Sequence, residues 1–243
     1  MAGRAVVGIH HEESNKVCQD YIIYRRYKDV KVMVLADGAS TCKHAAFGAE
    51  KACYFIVNYF KKNSLKAFKS MSIDELKLHL ITRLRSSLKY HAKQKKTETS
   101  QLSSTLLFVV ISNDEYIIGH IGDGVIGLFK NGNVQVLSKP ENAEFANVTY
   151  FTSSQNLKQH LRVKKGVINQ KSIAGFVMMS DGAAKSLYNP QELSFSIGVT
   201  KLFDWMSLNN KQKMNTLIYQ NLKEVIRLKT TDDCSLGLVY KSI

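Results

Sequence analysis

Three apolar runs in this chain end in the same dipeptide, Asp-Gly, and the patterns that follow them differ. The pairs are Asp37-Gly38, Asp123-Gly124 and Asp181-Gly182. After the second pair an alternating strand pattern resumes, which is typical of a hairpin turn. After the first and third pairs the apolar residues adopt helical spacing, and a strand that runs into a helix needs no tight turn. We therefore predict that Asp37 and Asp181 are placed acidic groups, while Asp123 fits either a turn or a site.

The other elements come in blocks rather than in strict alternation. A Ser72-Ile-Asp-Glu75 capping box predicts the start of a leucine-striped helix. Blocks of strands and helices favour antiparallel sheets with helices packed outside, in a single domain of residues 1–243. We predict strands at 4–9, 21–27, 30–35, 104–111, 116–121, 125–130, 134–137, 173–179 and 234–240, helices at 44–60, from 72, at 200–208 and at 211–228, and a loop-rich stretch at 138–169.

The charge of the chain is strongly positive, at +14, and it is concentrated in one region. Between Lys61 and Lys96 there are eleven Lys and Arg residues against two acidic ones. Such a region is either a solvated helix surface or a binding surface for an acidic partner protein or nucleic acid. Because no nucleic-acid motif or set of stacking aromatic residues accompanies it, a nucleic-acid partner is not favoured.

The cysteines and the apolar runs exclude several other classes. The four cysteines form no Cys-x-x-Cys pair, which disfavours a zinc knuckle or a thioredoxin-type site. No apolar run approaches the ~18 residues of a membrane span, and the first residues are too short a stretch for a signal peptide. We therefore expect a cytoplasmic protein with reduced thiols and no membrane partner.

Two further acidic positions lie at predicted strand ends, Asp20 early in the chain and Asp232 before the last strand. If these ends meet in space, Asp20, Asp37, Asp181 and Asp232 form a cluster that cannot stay ionised together without cations. Carboxylate and carbonyl oxygens suit Mg²⁺ or Mn²⁺ rather than zinc. Two such ions about 4 Å apart can deprotonate a bridging water and clamp a phosphoryl group, so the hypothesis is hydrolysis of a phosphate ester.

The order of the short motifs resembles the metal-dependent type 2C (PPM-class) serine/threonine protein phosphatases. The resemblance covers nearly the whole chain, and a segment at 140–149 is similar to a bacterial subgroup of that family, as is the form Cys-Gln-Asp. The motifs are Cys18-Gln-Asp20, Ala36-Asp-Gly38, Ser103-Ser-Thr105, Gly122-Asp-Gly124, Ser180-Asp-Gly182 and Asp232-Asp-Cys-Ser-Leu236.

This resemblance implies a four-layer α-β-β-α sandwich of two antiparallel β-sheets flanked by helices, with two Mg²⁺ or Mn²⁺ ions at one edge. Carried over by position, Asp37 would bridge both ions and Gly38 would lend its carbonyl oxygen. Asp181 and Asp232 would hold one ion, and Asp20 would bind directly or through water. The implied metal ligands are thus carboxylates and one backbone carbonyl.

The implied function is hydrolysis of phosphoserine and phosphothreonine in phosphoprotein substrates. The nucleophile would be a water activated by the two metals, through which Asp37, Asp181 and Asp232 act. Asp123 matches a residue that in some members helps to bind a weaker third metal ion.

Three positions depart from the family pattern. Ala39 stands where some members have a proposed general acid, Asn15 stands where many have a phosphate-contacting Arg, and Gln19 removes one possible ligand. His10, His11, Arg4 and Lys43 are the candidates to substitute as the phosphate contact, and of these we favour His11. The departures also leave open an alternative, a phosphatase-like binding module with little turnover that docks a phosphoprotein or an acidic partner.

Overall fold

Two antiparallel β-sheets form the centre of the molecule. The structure, a computed structural model, describes residues 1–141, 149–168 and 174–241. The strands are β1 (Ala2–Val6), β2 (Asp20–Tyr27), β3 (Val30–Asp37), β4 (Leu106–Ser112), β5 (Glu115–Ile121), β6 (Val125–Lys130), β7 (Asn133–Ser138), β8 (Arg162–Val167), β9 (Ala174–Met179), β10 (Tyr188–Asn189), β11 (Ser194–Phe195) and β12 (Cys234–Lys241). One sheet has the order β1-β12-β9-β6-β7-β11-β10, and the other β2-β3-β4-β5-β8.

Helices cover the outer faces of both sheets. The α-helices of the described residues are α1 (Ile9–Glu13), α2 (Ala45–Lys69), α3 (Ile73–Gln94), α4 (Leu157–His160), α5 (Asp181–Leu187), α6 (Ile197–Leu208) and α7 (Lys211–Asn221), with a π-helix at Leu222–Ile226 and 3₁₀ helices at Thr99–Leu102 and Arg227–Lys229. The buried faces of α2 and α3 share a core with the five-stranded sheet, and those of α6 and α7 share one with the seven-stranded sheet. The predicted α-β-β-α sandwich is confirmed.

Alternation along β3 shows how one strand serves two cores. Val32 and Val34 face the core under α2, whereas Met33 and Leu35 face the other sheet. Successive side chains of a strand point to opposite faces, so a strand covered on both sides reads as a continuous apolar run. This is why the runs before the Asp-Gly pairs are apolar throughout.

The first two long helices follow their sequence signals, with one change in length. The Ser72 side chain accepts from the Glu75 amide, and the Glu75 carboxylate accepts from the Ser72 amide, so the predicted capping box is present. The preceding helix does not end near residue 60 but continues to Lys69, because Ala67 and Phe68 still face the core.

One assignment in the middle of the chain was wrong, and the structure separates the two interpretations that the sequence left open for Asp123. The stretch predicted as loop contains α4 and β8, a lysine- and arginine-bearing strand that pairs with β5 at the sheet edge. Charged residues are common on edge strands and hide the strand pattern. Asp123-Gly124 is not a hairpin turn, because β5 and β6 belong to different sheets and the connection crosses between them.

Tight turns at asparagine residues join neighbouring strands in each sheet. Asn113 joins β4 to β5 and Asn131 joins β6 to β7, both with positive φ angles near 50°.

Residues 142–148 of the segment that resembles a bacterial subgroup lie outside the described residues. In the described part of the chain, no helix is both long and apolar enough to span a bilayer.

Candidate metal centre

The carboxylates of the candidate centre are positioned by the ends of strands from both sheets. Asp37 is the last residue of β3, and Asp181 is the first residue of α5, directly after β9. Asp123 lies in the connection that crosses between the sheets, and Asp232 precedes β12. The sandwich thus brings residues far apart in sequence to one edge.

Three of the aspartates approach each other closely enough to share a cation. Single carboxylate oxygens of Asp37, Asp123 and Asp181 all lie within 4.8 Å of one another. They line a cavity of about 340 Å³ together with Gly38 and Asp232. The structure therefore brings five of the six predicted metal-site residues to one cavity, and a carboxylate at this spacing can bridge ions.

Hydroxyl groups hold two of these aspartates in place. The Asp37 amide donates to Thr105 Oγ1 at 2.9 Å, and the Thr105 amide donates back to the Asp37 carbonyl at 2.8 Å. Thr149 Oγ1 donates to Asp123 Oδ2 at 2.6 Å. Gly122, whose φ is +108°, lets the crossing connection turn where a Cβ would meet the Thr105 side chain. The Ser-Ser-Thr motif thus has a physical role beside the first Asp-Gly pair.

When no cation is bound, the surroundings of these aspartates favour their protonated, neutral forms. Burial raises the pKa of Asp37 well above its ordinary value, and the neighbouring carboxylates of Asp20 and Asp181 raise it further. Burial likewise raises the pKa of Asp181 and of Asp232. Desolvated carboxylates of like charge bind divalent cations because the cation removes both penalties.

Asp20 lies behind the cavity rather than on its wall. It is the strand partner of Asp37, it is 5% exposed, and neither carboxylate oxygen has a hydrogen-bond partner among the described residues. Burial raises the pKa of Asp20 to about 8, a shift that the nearby Ser235 and Ser180 hydroxyls reduce although neither forms a hydrogen bond of full geometry with the carboxylate. A buried carboxylate without partners is costly unless a cation or water satisfies it, so Asp20 fits a metal ligand that acts directly or through water.

His11 faces a different group from the expected phosphate. Its Nδ1 lies 3.0 Å from Asp233 Oδ2, and the residue is 5% exposed and is not part of the cavity lining. The Asp233 carboxylate also accepts from the Gly8 and Gln19 amides, each at 2.6 Å. Asp233 therefore anchors the chain next to Asp232, a role that the tandem acidic pair did not reveal.

Lys185 is a site residue that the sequence reasoning missed. Its Nζ lies 3.5 Å from Asp181 Oδ2 and 3.8 Å from Asp232 Oδ2. The pKa of Lys185 is raised, because the attraction of these two carboxylates outweighs a desolvation that acts in the opposite direction. The available signal was its spacing, since a residue four positions after Asp181 on a helix lies on the same face.

The donor set fits the predicted cations. The cavity wall offers carboxylate, hydroxyl and carbonyl oxygens, and the unpartnered Asp20 adds two more buried oxygens. Hard divalent ions such as Mg²⁺ and Mn²⁺ prefer oxygen donors of this kind.

A sandwich with this arrangement is the fold of bacterial serine/threonine phosphatases. PppA of Pseudomonas aeruginosa superposes with a TM-score of 0.65 at 17% identity, over 100% of this chain and 96% of that one. The S. agalactiae serine/threonine phosphatase gives a TM-score of 0.66 at 15% identity, over 99% of this chain and 98% of that one. The catalytic domain of the phosphatase PstP, in complex with two manganese ions, gives 0.60 at 14% identity, over 99% and 96%.

Sequence comparison makes the assignment specific. Residues 7–225 match the Protein phosphatase 2C family, and the chain belongs to that family. Serine/threonine-protein phosphatase 3 of Escherichia coli strain K12 is 22% identical over 245 residues, which cover 96% of this chain and 95% of the relative. The resemblance drawn from the motifs is confirmed.

Proposed function

We propose that this protein hydrolyses phosphoserine and phosphothreonine in proteins, with two Mg²⁺ or Mn²⁺ ions at the sheet edge. The observation that carries the proposal is the approach of the Asp37, Asp123 and Asp181 carboxylate oxygens to within 4.8 Å in a member of this family. Two divalent ions supply an activated water nucleophile and neutralise charge on the phosphoryl group.

We assign the roles of the individual residues by their correspondence to the family motifs. Asp37 lines the cavity together with the other carboxylates and would be the bridging ligand, with the adjacent Gly38 carbonyl as a further oxygen donor. Asp181 and Asp232 hold one ion, Asp20 binds from behind directly or through water, and Asp123 serves a weaker third ion. All of the residues assigned here line the cavity, with the exception of Asp20.

Hydrogen bonds from residues around the proposed ligands hold those ligands in position. Thr105 fixes the Asp37 backbone and Thr149 fixes the Asp123 side chain. Asp233, the residue after Asp232, accepts hydrogen bonds from the Gly8 and Gln19 amides. Ligands whose orientation is fixed before binding lose little entropy when the cation arrives, and such outer contacts tune metal affinity.

The substrate would enter beside the carboxylates. A second cavity of about 610 Å³ shares Asp123, Thr149 and Asp181 with the first and extends to Tyr188 and Pro190. We assign it to the peptide that flanks the phosphorylated residue. Its size is that of a ligand pocket rather than of a water site.

The alternative, a binding module with little turnover, is not favoured. Ala39 and Asn15 motivate it, but the cluster keeps the carboxylates that the hydrolytic assignment needs. The absence of a general acid at the position of Ala39 does not favour the binding module, because water can protonate the leaving oxygen. Turnover itself is the discriminating measurement.

The basic region supports a proposal about partners. Of the cations on α3, Lys89 and Lys93 are exposed, whereas Arg85 donates to the Ser154 and Gln155 carbonyls. We propose an acidic protein segment as the partner of the exposed lysines. Its binding should weaken steeply with salt, as exposed charge pairs do. The cytoplasmic location stays a prediction.

The test uses the full chain stripped of metal with a chelator. We expect release of inorganic phosphate from phosphoserine and phosphothreonine peptides only after Mn²⁺ or Mg²⁺ is restored. An unphosphorylated peptide serves as the blank. Binding of Mn²⁺ without phosphate release from several such peptides would contradict the proposed hydrolysis and favour the binding module.

A further inference from the structure

The strongest observation that the proposed roles leave unused is a cation within the carboxylate cluster. Lys185 Nζ bridges Asp181 and Asp232, and it also lies 3.4 Å from Thr230 Oγ1. The lysine side chain is 50% exposed, and the Asp232 side chain that it contacts is 41% exposed. The ammonium is therefore held by charge at one side of the site while its stem stays free to reorient.

A phosphorylated substrate needs positive charge in this place. Among the described residues that line the two cavities, Lys185 is the single Lys or Arg, and the other charged groups are aspartates. A phosphate dianion that approaches these walls meets repulsion from every charged side chain except this one. Because His11 is turned to Asp233, it does not supply the missing charge.

The Lys185 side chain can reach both the Asp181–Asp232 pair and the larger cavity. Lys185 lies on α5, one turn after Asp181, and lines the larger cavity beside Tyr188 and Pro190. A lysine carries its charge on a flexible four-carbon chain, so its head can exchange one anionic partner for another nearby. A cation bound by Asp181 and Asp232 would displace the ammonium by repulsion, toward the cavity that is open to it.

We propose that Lys185 is the substrate-phosphate contact of this protein and, before metal binds, the counter-ion of Asp181 and Asp232. The inference rests on the proposed function. A neutral substitution of Lys185 should weaken phosphate binding if the lysine contacts phosphate, and it should strengthen metal binding if the lysine is the counter-ion of the two aspartates. Removal of the ammonium removes a competitor of the metal and a partner of the phosphate at the same time.

The experiment compares Lys185→Met, Lys185→Arg and wild type by calorimetry. In the first titration MnCl₂ is added to metal-free protein, and Lys185→Met should bind Mn²⁺ about threefold to tenfold more tightly, the range for losing one or two half-exposed ion pairs. In the second, inorganic phosphate is added to Mg²⁺-loaded protein, and Lys185→Met should bind it about tenfold more weakly. Lys185→Arg should stay close to wild type in both.

A charge-matched control separates the local effect from net charge. Lys201 is an exposed lysine on α6, and Lys201→Met removes the same charge outside the site. Equal changes in Lys201→Met, or an unchanged phosphate affinity in Lys185→Met, would overturn the proposal. So would weaker Mn²⁺ binding in Lys185→Met.

Both titrations are independent of turnover, so the two proposals can fail separately. Absence of phosphate release by wild type would contradict the proposed hydrolysis and leave the binding measurements valid. If wild type is active, Lys185→Met should raise KM for a phosphothreonine peptide about tenfold, with a smaller change in kcat. A loss confined to kcat would overturn the assignment of Lys185 as a substrate-phosphate contact.

Discussion

Asp20 and Asp37 are direct partners on the antiparallel strands β2 and β3, at the open end of the hairpin that these strands form. Partners in an antiparallel pair project to the same face, so two carboxylates of like charge stand side by side. Like charges opposite each other destabilise a sheet, and here Asp20 is buried with no hydrogen-bond partner in the described part of the chain. The metal-free protein thus carries a destabilising pair that a divalent cation would relieve.

The first prediction concerns the pH dependence that follows from this pair. The pKa of Asp20 is about 8 in the folded protein against 3.8 for the free group, so between these values the folded state holds a proton that the unfolded state has lost. The free energy of unfolding of metal-free protein should therefore fall as pH rises from about 4 to 8. Asp20→Asn should remove a part of this fall on the order of a few kcal/mol, measured by urea unfolding at pH 5 and pH 8.

The matched control is Asp29→Asn at the exposed turn of the same hairpin. It should leave the fall unchanged. Parallel pH curves for wild type and Asp20→Asn would show that Asp20 ionises normally and would contradict this prediction.

Asp37→Asn tests the proposed bridging ligand. An amide cannot supply a bridging carboxylate, so hydrolysis of a small aryl phosphate with Mn²⁺ should fall roughly 10³-fold or more, with the fold retained by circular dichroism. Asp29→Asn, on the same hairpin, should keep full activity. Activity that survives in Asp37→Asn would refute the site assignment.

Asp233→Ala tests the anchor beside the metal centre. The change leaves the Gly8 and Gln19 amides without their acceptor and removes the partner of His11, so we expect a loss of about 2 to 4 kcal/mol in the free energy of unfolding. The measurement is urea unfolding with a chelator present, which removes any contribution from bound metal. Asp204→Ala, on the exposed face of α6, should change it by less than about 0.5 kcal/mol.

Gly8→Ala tests the close approach of the first and last segments. A Cβ at Gly8 would lie 2.3 Å from the Asp232 carbonyl carbon, a backbone atom that cannot step aside alone. The Asp232 segment must therefore move, and both unfolding free energy and Mn²⁺ affinity should drop, the former by about 1 to 3 kcal/mol. At Gly198 in α6 the nearest atom is 3.4 Å away, so Gly198→Ala should be neutral or slightly stabilising. Equal effects of the two changes would refute the steric argument.

Local patterns identified much of the fold because both faces of the central strands are covered. The apolar run before Asp37, the Ser72 capping box and the asparagine turns each depend on residues close in sequence, and each is present in the structure. The edge strand β8 escaped detection because Arg162, Lys164 and Lys165 interrupt the apolar pattern, although its residues pair with β5. The assignment of residues 1–243 to one domain remains a prediction.

Site residues divide in the same way. Asp37 and Asp181 stood out because each follows an apolar strand and precedes a helix, which is a local feature. Asp123 was ambiguous because a crossing between two sheets and a hairpin turn have similar sequences. The partner of His11 was invisible, since a contact between residues 11 and 233 depends on how distant segments pack, whereas the spacing of Lys185 from Asp181 was a local signal that the sequence analysis did not use.

The sequence by itself determined which residues end strands as carboxylates, the period of the buried positions and the motif order that indicates the family. Only the tertiary structure decided that these carboxylates converge, because strand pairing and sheet packing bring together residues that the chain separates by more than a hundred positions. It also decided which cation enters the cluster. Charge counts along the chain direct attention to Lys61–Lys96, but electrostatic energy depends on distance in space, and Lys185 is the lysine that reaches the aspartates.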